Sequence, residues 1–195
     1  MQAPVAPEFY VEAERPHLGG YIRGGDPATY YPQLWEWFVR EQGVTSVLDV
    51  GCGEGHAVEF FQALDIRAVG IDGVKQDKPG IKMHDYTRGP LAVYFEYDLV
   101  WSCEFVEHVE ERCVQNFLAT FVSARPKLVA MTHAEPGQPG HHHVNCRTAD
   151  YWKGVMAAAG FAFDEDTTLH ARLMAAMNRN PINHFARSGL VFRTA

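Results

Sequence analysis

The 195-residue sequence lacks any apolar run close to the roughly 20 residues needed to span a bilayer. Its N-terminus also lacks the basic segment, followed by an apolar one, that is typical of a signal peptide. Basic residues are few: 17 Lys and Arg stand against 24 Asp and Glu, for a formal net charge of −7. Because phosphate contacts need a basic face, this balance argues against duplex nucleic acid as a substrate. We therefore expect a cytoplasmic protein with neither a membrane nor a nucleic acid as a partner.

Cysteine is also scarce, and the spacing of metal-binding motifs is missing. The four cysteines have no CxxC spacing, and the sequence contains no HExxH. We expect four free thiols, as in a reduced cytoplasmic setting. Apolar residues make up 47% and charged residues 21% of the chain, as in globular proteins. Since no linker or repeat divides the chain, we expect one domain over residues 1–195.

Residues 1–43 are expected to form a leader that ends in a helix. Residues 1–28 are rich in Pro and Gly, which predicts irregular structure. A helix is predicted over 29–43, and Gly43 ends it. The leader is interpreted either as a lid over a ligand or as an ordered segment packed on the sheet. The lid hypothesis rests on two glycine pairs and three side chains able to cover a ligand: 19–20 and 24–25, with Tyr21, Arg23 and Tyr30.

Residues 44–195 show short apolar strands that alternate with helices. This alternation indicates a mostly parallel sheet with helices on both faces. Strands are predicted at 46–50, 67–72, 81–85, 97–103, 127–133, 161–166 and 188–194, and helices at 56–64, 111–124 and 148–160. Ligands of such sheets bind at the carboxyl ends of the strands. Polar side chains collect there: Asp49, Asp72, Asp85, Glu104 and His133.

The loop after the first predicted strand is rich in glycine and acidic. Gly51, Gly53 and Gly55 are followed by His56, where a dinucleotide fingerprint has its third glycine. A pyrophosphate would be repelled by acidic residues at 49 and 54, whereas an amino group and a sulfonium would be attracted. An acid at the end of the second strand, Asp72, is shared with NAD sites and does not discriminate. An NAD-dependent oxidoreductase therefore remains a disfavoured alternative.

Four motifs in order resemble those of the class I S-adenosylmethionine (SAM)-dependent methyltransferases: Asp49–Gly55, Gly70–Asp72, Asp85 and 97–109. The resemblance is to the small stand-alone members of this Rossmann-like, seven-stranded family, and the leader resembles those of members from bacteria and viruses, some encoded near glycan-building genes. It implies an α/β fold, a doubly wound three-layer sandwich with strand order 3-2-1-4-5-7-6 and strand 7 antiparallel. It also implies SAM as the cofactor, held by Asp49, Gly51, Cys52, Gly53, Gly55, His56, Asp72, Gly73, Asp85, Tyr86, Ser102, Glu104 and His108.

A histidine-rich loop, "MTHAEPGQPGHHHVN" (131–145), is the most unusual stretch. His141 and His143 share a face of an extended segment, and His142 points the other way. We expect His133, His141 and His143, with Glu104, to bind and deprotonate an acceptor. The alternatives are a metal site on this loop and a purely structural role.

The expected function is SAM-dependent O-methylation of a hydroxyl on a small molecule or a sugar. No metal ligand is expected to be essential, although a divalent metal is possible. Two alternatives stay open at this point. One is a SAM-binding module without catalysis, which needs none of the histidines. The other is a metal-dependent hydrolase or oxygenase that uses the loop containing His133 and 141–143.

Overall fold

The computed structural model describes residues 16–18, 20–75 and 77–195. Its helices are α1 Pro32–Arg40, α2 His56–Ala63, α3 Val114–Ser123, α4 Ala149–Ala158, α5 Glu165–Ala176 and α6 His184–Ser188. Its strands are β1 Ser46–Val50, β2 Arg67–Asp72, β3 Ile81–Met83, β4 Leu99–Ser102, β5 Leu128–Met131, β6 Phe161–Phe163 and β7 Leu190–Thr194. Short 3-10 turns at Pro16–Leu18 and Pro27–Thr29 lie in the segment predicted to be irregular. The predictions for 1–15 and Gly19 lie outside the described residues.

The strands form one seven-stranded sheet in the order β3-β2-β1-β4-β5-β7-β6. All pairs are parallel except those of β7, which runs antiparallel to β5 and to β6. The predicted fold class and strand order are therefore confirmed. The order reverses between β1 and β4, so the connections that follow these two strands lead to helices on opposite faces of the sheet and leave room for a ligand between them.

The sheet has a separate hydrophobic core on each of its faces. Successive residues of a central strand pack alternately into one core and the other. Trp101 packs in a cluster with side chains of α1, α2, α5 and α6, whereas Val100 packs with side chains of α3 and α4. Side chains alternate across a strand, so each of these strands is buried on both faces. The largest side chains of the first cluster include Trp35 and Phe61, and those of the second include Phe117 and Trp152.

The chain near the last two strands differs from the prediction. The predicted strand 161–166 is wrong in its second half, because β6 ends at Phe163 and Asp164 caps α5 by accepting a hydrogen bond from the Thr167 N–H. The predicted strand 188–194 begins only at Leu190, since Ser188 still belongs to α6. No helix was predicted there, yet α6 is the element that brings His184 to the site.

Helix α6 is held to the sheet by a buried aromatic pair. Phe185 is fully buried, and its ring stacks on Trp101 with centroids 5.1 Å apart and planes 15° from parallel. Its backbone N–H also donates a hydrogen bond to the Tyr31 hydroxyl. This five-residue helix has too few backbone hydrogen bonds to be stable alone, so tertiary packing must stabilise it.

We predict that Phe185→Ala lowers the free energy of unfolding by about 3–5 kcal/mol, because a large buried ring is lost and its space is not refilled. Chemical denaturation followed by tryptophan fluorescence measures this change. Phe95→Ala is the matched control, since Phe95 is 65% exposed and should change stability little. Equal effects of the two substitutions would contradict this account of α6.

Candidate active site

A cavity of about 920 Å³ lies at the carboxyl ends of β1, β2 and β4, and residues 17–18, 20–22 and 24–30 form part of its wall. Most of the residues predicted for the site line this cavity: Asp49, Gly51, Cys52, Gly53, His56, Asp72, Gly73, Asp85, Tyr86, Glu104, His108, His141 and His143. Gly55, Ser102 and His133 do not. Ser102 is fully buried, and its hydroxyl donates to the Val50 carbonyl at 2.9 Å.

The glycine loop turns sharply from β1 into α2. The N–H groups of Gly51 and Cys52 both donate to the Ile71 carbonyl, at 2.8 and 3.2 Å, which ties the loop to β2. Gly51 has φ +81°, and a Cβ there would lie 2.5 Å from the Phe105 ring. Gly55 is the N-cap of α2, with φ +80°. Gly55 therefore shapes the loop rather than forming the cavity wall.

Asp72, at the end of β2, is tied to the glycine loop by its own carboxylate. It accepts hydrogen bonds from the N–H groups of Gly53 and Val74, both at 2.8 Å. Burial nevertheless raises the pKa of Asp72 to about 6. Asp49 is fully buried, and burial followed by the charge of Asp72 raises its pKa well above the usual value. In the described part of the chain, neither acid is paired with a basic side chain. No protein cation therefore offsets the two carboxyl groups at this end of the cavity.

Asp85 already has protein partners. Its carboxylate accepts a hydrogen bond from the Thr87 N–H at 2.9 Å, and its other oxygen lies 2.9 Å from Nε2 of His17. Burial raises its pKa, but the bonds from Thr87 and His17 outweigh that effect and lower it overall. Asp85 thus fixes the N-terminal segment and the next turn. The neighbouring Tyr86 is buried, and its hydroxyl donates to Oγ1 of Thr120 at 3.0 Å.

The N-terminal segment is also bound to the glycine loop. The Tyr21 hydroxyl and the Gly24 N–H both donate to Oε1 of Glu54, at 3.2 and 2.8 Å. These bonds, with the His17–Asp85 pair, hold the segment against the part of the cavity wall formed by the glycine loop and the turn after β3. They fit an ordered leader, and the lid hypothesis stays a prediction.

Glu104 is held in place by its backbone conformation and by hydrogen bonds with neighbouring side chains. It follows β4 with φ +51°, a left-handed conformation that non-glycine residues rarely adopt. Its backbone N–H donates to Oγ1 of Thr132 at 2.7 Å, and that hydroxyl donates back to Oε1 of Glu104 at 2.8 Å. Strained backbone of this kind costs about 1–3 kcal/mol and tends to persist at functional sites.

His184 joins Glu104 to the N-terminal segment. Its Nδ1 lies 2.9 Å from Oε2 of Glu104, and its Nε2 lies 3.5 Å from Oδ2 of Asp26. Burial lowers the pKa of His184, but the two carboxylates outweigh burial and raise it to about 10. Burial raises the pKa of Glu104, yet His184 and Thr132 lower it overall. At neutral pH the site therefore holds a cationic imidazole between two carboxylates.

His133 lies on the opposite face of the chain from Thr132. Its side chain is 1% exposed, and its Nε2 is 3.9 Å from Oε1 of Glu135. Thr132 and His133 are both buried and neither lines the cavity, but the Thr132 hydroxyl donates a hydrogen bond to the Glu104 carboxylate. A role of His133 in binding or deprotonating an acceptor therefore stays a prediction, and its position outside the cavity wall does not favour it.

The histidine loop closes the far side of the cavity. His141 and His143 both line it, as predicted, although the chain turns at His142 (φ +54°) instead of being extended there. The ring of His143 lies edge-on to that of His108, with centroids 5.1 Å apart. Burial, and then the neighbouring His143, lower the pKa of His108 to about 4, so its imidazole is neutral at physiological pH.

The fold is shared with solved methyltransferases at low sequence identity. One is 1,6-didemethyltoxoflavin N1-methyltransferase from Burkholderia thailandensis, with bound 1,6-didemethyltoxoflavin and S-adenosylhomocysteine (TM-score 0.60, 14% identity, 90% of this chain and 84% of that one). A second is a sugar N-methyltransferase from a Streptoalloteichus species (TM-score 0.60, 14% identity, 88% and 89%). A third is magnesium protoporphyrin IX methyltransferase from Synechocystis with bound SAM (TM-score 0.54, 14% identity, 85% and 77%).

No protein-family model and no curated protein matches the sequence. At 14–18% identity, the structural matches establish the fold, which is that of the class I SAM-dependent methyltransferases. The fold expected from the resemblance is therefore confirmed. No described helix is long and apolar enough to cross a membrane.

Three residues of the site were missed by sequence reasoning: Asp26, Thr132 and His184. Asp26 precedes a proline and is typical of a turn, and it does cap the turn at 27–29. His184 follows an Asn-rich stretch with no motif around it. Only Thr132 had a usable signal, because it follows an apolar strand and sits beside the histidine that was chosen instead.

We predict that His184→Gln lowers the free energy of unfolding by about 3 kcal/mol near pH 6, because a buried ion pair loses its cation. The raised pKa of His184 means that its stabilisation is fully present below about pH 6.5 and is lost as the pH rises towards 10. Denaturant titrations from pH 5.5 to 10, with His170→Gln as an exposed control, measure this dependence. A constant difference between wild type and His184→Gln across that range would contradict the assignment.

Proposed function

We propose that this protein is a SAM-dependent methyltransferase that methylates a hydroxyl group of a small-molecule or sugar acceptor. The observation that carries the proposal is the joining of two chemically different halves in one cavity. One half is the acidic pocket at Asp49, Asp72 and the glycine loop. The other half presents the ionised Glu104 carboxylate, held by His184 and Thr132.

The charge of the first half fits SAM better than a dinucleotide. SAM carries an ammonium and a sulfonium, and both are attracted to a pocket in which Asp49 and Asp72 have no cationic partner among the described residues. A pyrophosphate would add negative charge to the same pocket. Asp72 would accept the ribose hydroxyls of SAM, and residues 51–53 would lie along its methionine part. Asp85 and Tyr86 would border the adenine, although the Asp85 carboxylate is engaged by His17.

The second half supports proton removal from an acceptor. SAM, when bound, supplies a methyl group on a sulfonium that becomes a thioether as the acceptor oxygen gains the methyl. Glu104 would accept the hydroxyl proton as the new C–O bond forms. The low pKa of Glu104 does not prevent this, because an oxygen that is being alkylated becomes strongly acidic. His184 would keep the carboxylate ionised and oriented before the proton arrives.

An oxygen acceptor suits this arrangement better than an amine. A neutral amine attacks without prior loss of a proton, and an ionised carboxylate beside it favours the protonated, unreactive ammonium. A hydroxyl needs a hydrogen-bond acceptor for the proton that it releases. The structural neighbours include N-methyltransferases, one of them a sugar N-methyltransferase. These neighbours support a small-molecule or carbohydrate acceptor. The proposal that the acceptor atom is an oxygen and not a nitrogen rests on Glu104.

We predict that Asp72→Asn weakens SAM binding about tenfold to a hundredfold, since an amide is a poorer acceptor for the ribose hydroxyls than a carboxylate. Wild-type affinity should fall as the pH drops below about 6, where Asp72 takes up a proton. Isothermal titration calorimetry with SAM and S-adenosylhomocysteine tests both effects. Asp150→Asn is the control, because Asp150 is exposed on α4. Unchanged binding by the Asp72 variant would refute the placement of the cofactor.

We predict that Glu104→Gln lowers kcat about 10²–10⁴-fold, because the amide cannot accept a proton. SAM affinity measured by calorimetry serves as the control for folding and should change far less than kcat. Transfer from radiolabelled SAM to a panel of sugars, phenols and amines supplies the activity readout. Methyl transfer to amines alone, with no product from any hydroxyl compound, would contradict the proposal that the acceptor is a hydroxyl group.

A further inference from the structure

A second group of chemically reactive side chains lies beside the acceptor half of the cavity. One potential ligand atom from each of Glu107, His108 and His143 lies within 4.8 Å of the other two. Glu107 and His108 belong to the 3-10 turn that follows β4, and His143 comes from the histidine loop. The two segments are fastened together, because the N–H groups of Val144 and Asn145 donate to the Glu107 carbonyl at 2.9 and 3.0 Å.

Both histidines have their Nδ1 atoms engaged by backbone carbonyls. Nδ1 of His108 lies 3.1 Å from the His142 oxygen, and Nδ1 of His143 lies 3.3 Å from the Gln138 oxygen. A carbonyl only accepts, so each Nδ1 carries the proton and each neutral ring keeps its lone pair on Nε2. A histidine that binds a metal typically donates its other N–H in this way, which fixes the tautomer and the ring orientation.

Glu107 is an unusual carboxyl group. Its side chain is fully buried, and neither carboxylate oxygen has a hydrogen-bond partner among the described residues. Burial, and then the negative charge of Glu104, raise its pKa well above the usual value. A buried polar group without a partner is costly, and natural proteins rarely keep one without a reason. The mechanism proposed above does not use Glu107.

We propose that Glu107, His108 and His143 bind one divalent transition-metal ion through a carboxylate oxygen and the two Nε2 atoms. Two imidazoles and a carboxylate are a donor set suited to ions from manganese to zinc. Ligand atoms of one such ion lie roughly 3–4 Å apart, so small side-chain rotations from the present positions suffice. The ion would satisfy the buried carboxylate that the protein alone leaves unpaired.

The site would open towards the acceptor. His108 and His143 both line the main cavity, so coordination positions not filled by the protein face the space where the acceptor would bind. The sequence prediction named no metal ligand as essential, and its alternative metal site used the loop containing His133 and 141–143. His143 of that loop belongs to the present group, whereas Glu107 and His108 were not part of that alternative. The proposal does not depend on SAM binding, because the three side chains are brought together by the fold alone.

The test uses the full chain after treatment with a chelator and its removal. Co(II) is titrated in while the visible absorption bands of coordinated cobalt are followed, and Zn(II) and Mn(II) are titrated by calorimetry. We expect one ion per chain, with at least tenfold weaker binding by Glu107→Gln and by His143→Ala. His170→Ala should bind like wild type, because His170 is an exposed histidine on α5. The proposal would be overturned if wild type does not bind these ions. It would also be overturned if the His143 variant binds them as tightly as wild type does.

Melting temperatures show whether a variant that binds metal weakly is still folded. Glu107→Gln removes a buried acid that has no partner, so the variant should fold as well as wild type without metal. Zn(II) should raise the melting temperature of wild type clearly more than that of the Glu107 variant. A Zn(II)-dependent rise of the same size in both proteins would count against the site.

Discussion

The ion pair between Glu104 and His184 is the interaction on which the site depends. It joins a strained residue at the end of β4 to a helix near the C-terminus, and through Asp26 it reaches the N-terminal segment. Three distant parts of the sequence are thereby fixed around one cavity. The pair also sets the charge state of the site, because a cationic imidazole keeps the buried carboxylate ionised at neutral pH. Packing of Phe185 on Trp101 supports the pair from beneath, which explains why a five-residue helix is stable at this position.

The cavity is divided by charge into regions with separate tasks. The pocket at Asp49 and Asp72 has acidity without a protein cation, as expected for a pocket that receives a positively charged ligand. Glu104 has the opposite arrangement, since its cation is built in. Glu107 resembles the first case, with an acid buried and left without a partner. For each buried acid we ask which positive charge compensates it. At Asp49 and Asp72 we propose the cofactor, and at Glu107 we propose a metal ion.

Much of this arrangement follows from local patterns in the sequence. The glycine loop and Asp72 were predictable because each lies directly at the end of an apolar strand. His184 was not, because its role depends on the docking of α6, which no short-range pattern encodes. Thr132 was overlooked because its role, a hydrogen bond to the Glu104 carboxylate, depends on a contact between the ends of two strands that no local pattern shows. The Glu107 site was missed because acids near a helix start are ordinarily solvated, and its burial is a tertiary property.

A crystal structure of the protein with S-adenosylhomocysteine would test the central claim most directly. The account predicts that the ribose hydroxyls lie within hydrogen-bond distance of the Asp72 carboxylate and that the sulfur faces Glu104. It also predicts that the amino group lies at the acidic pocket beside Asp49. A nucleoside found outside this cavity, or a sulfur turned away from Glu104, would contradict the assignment of the two halves.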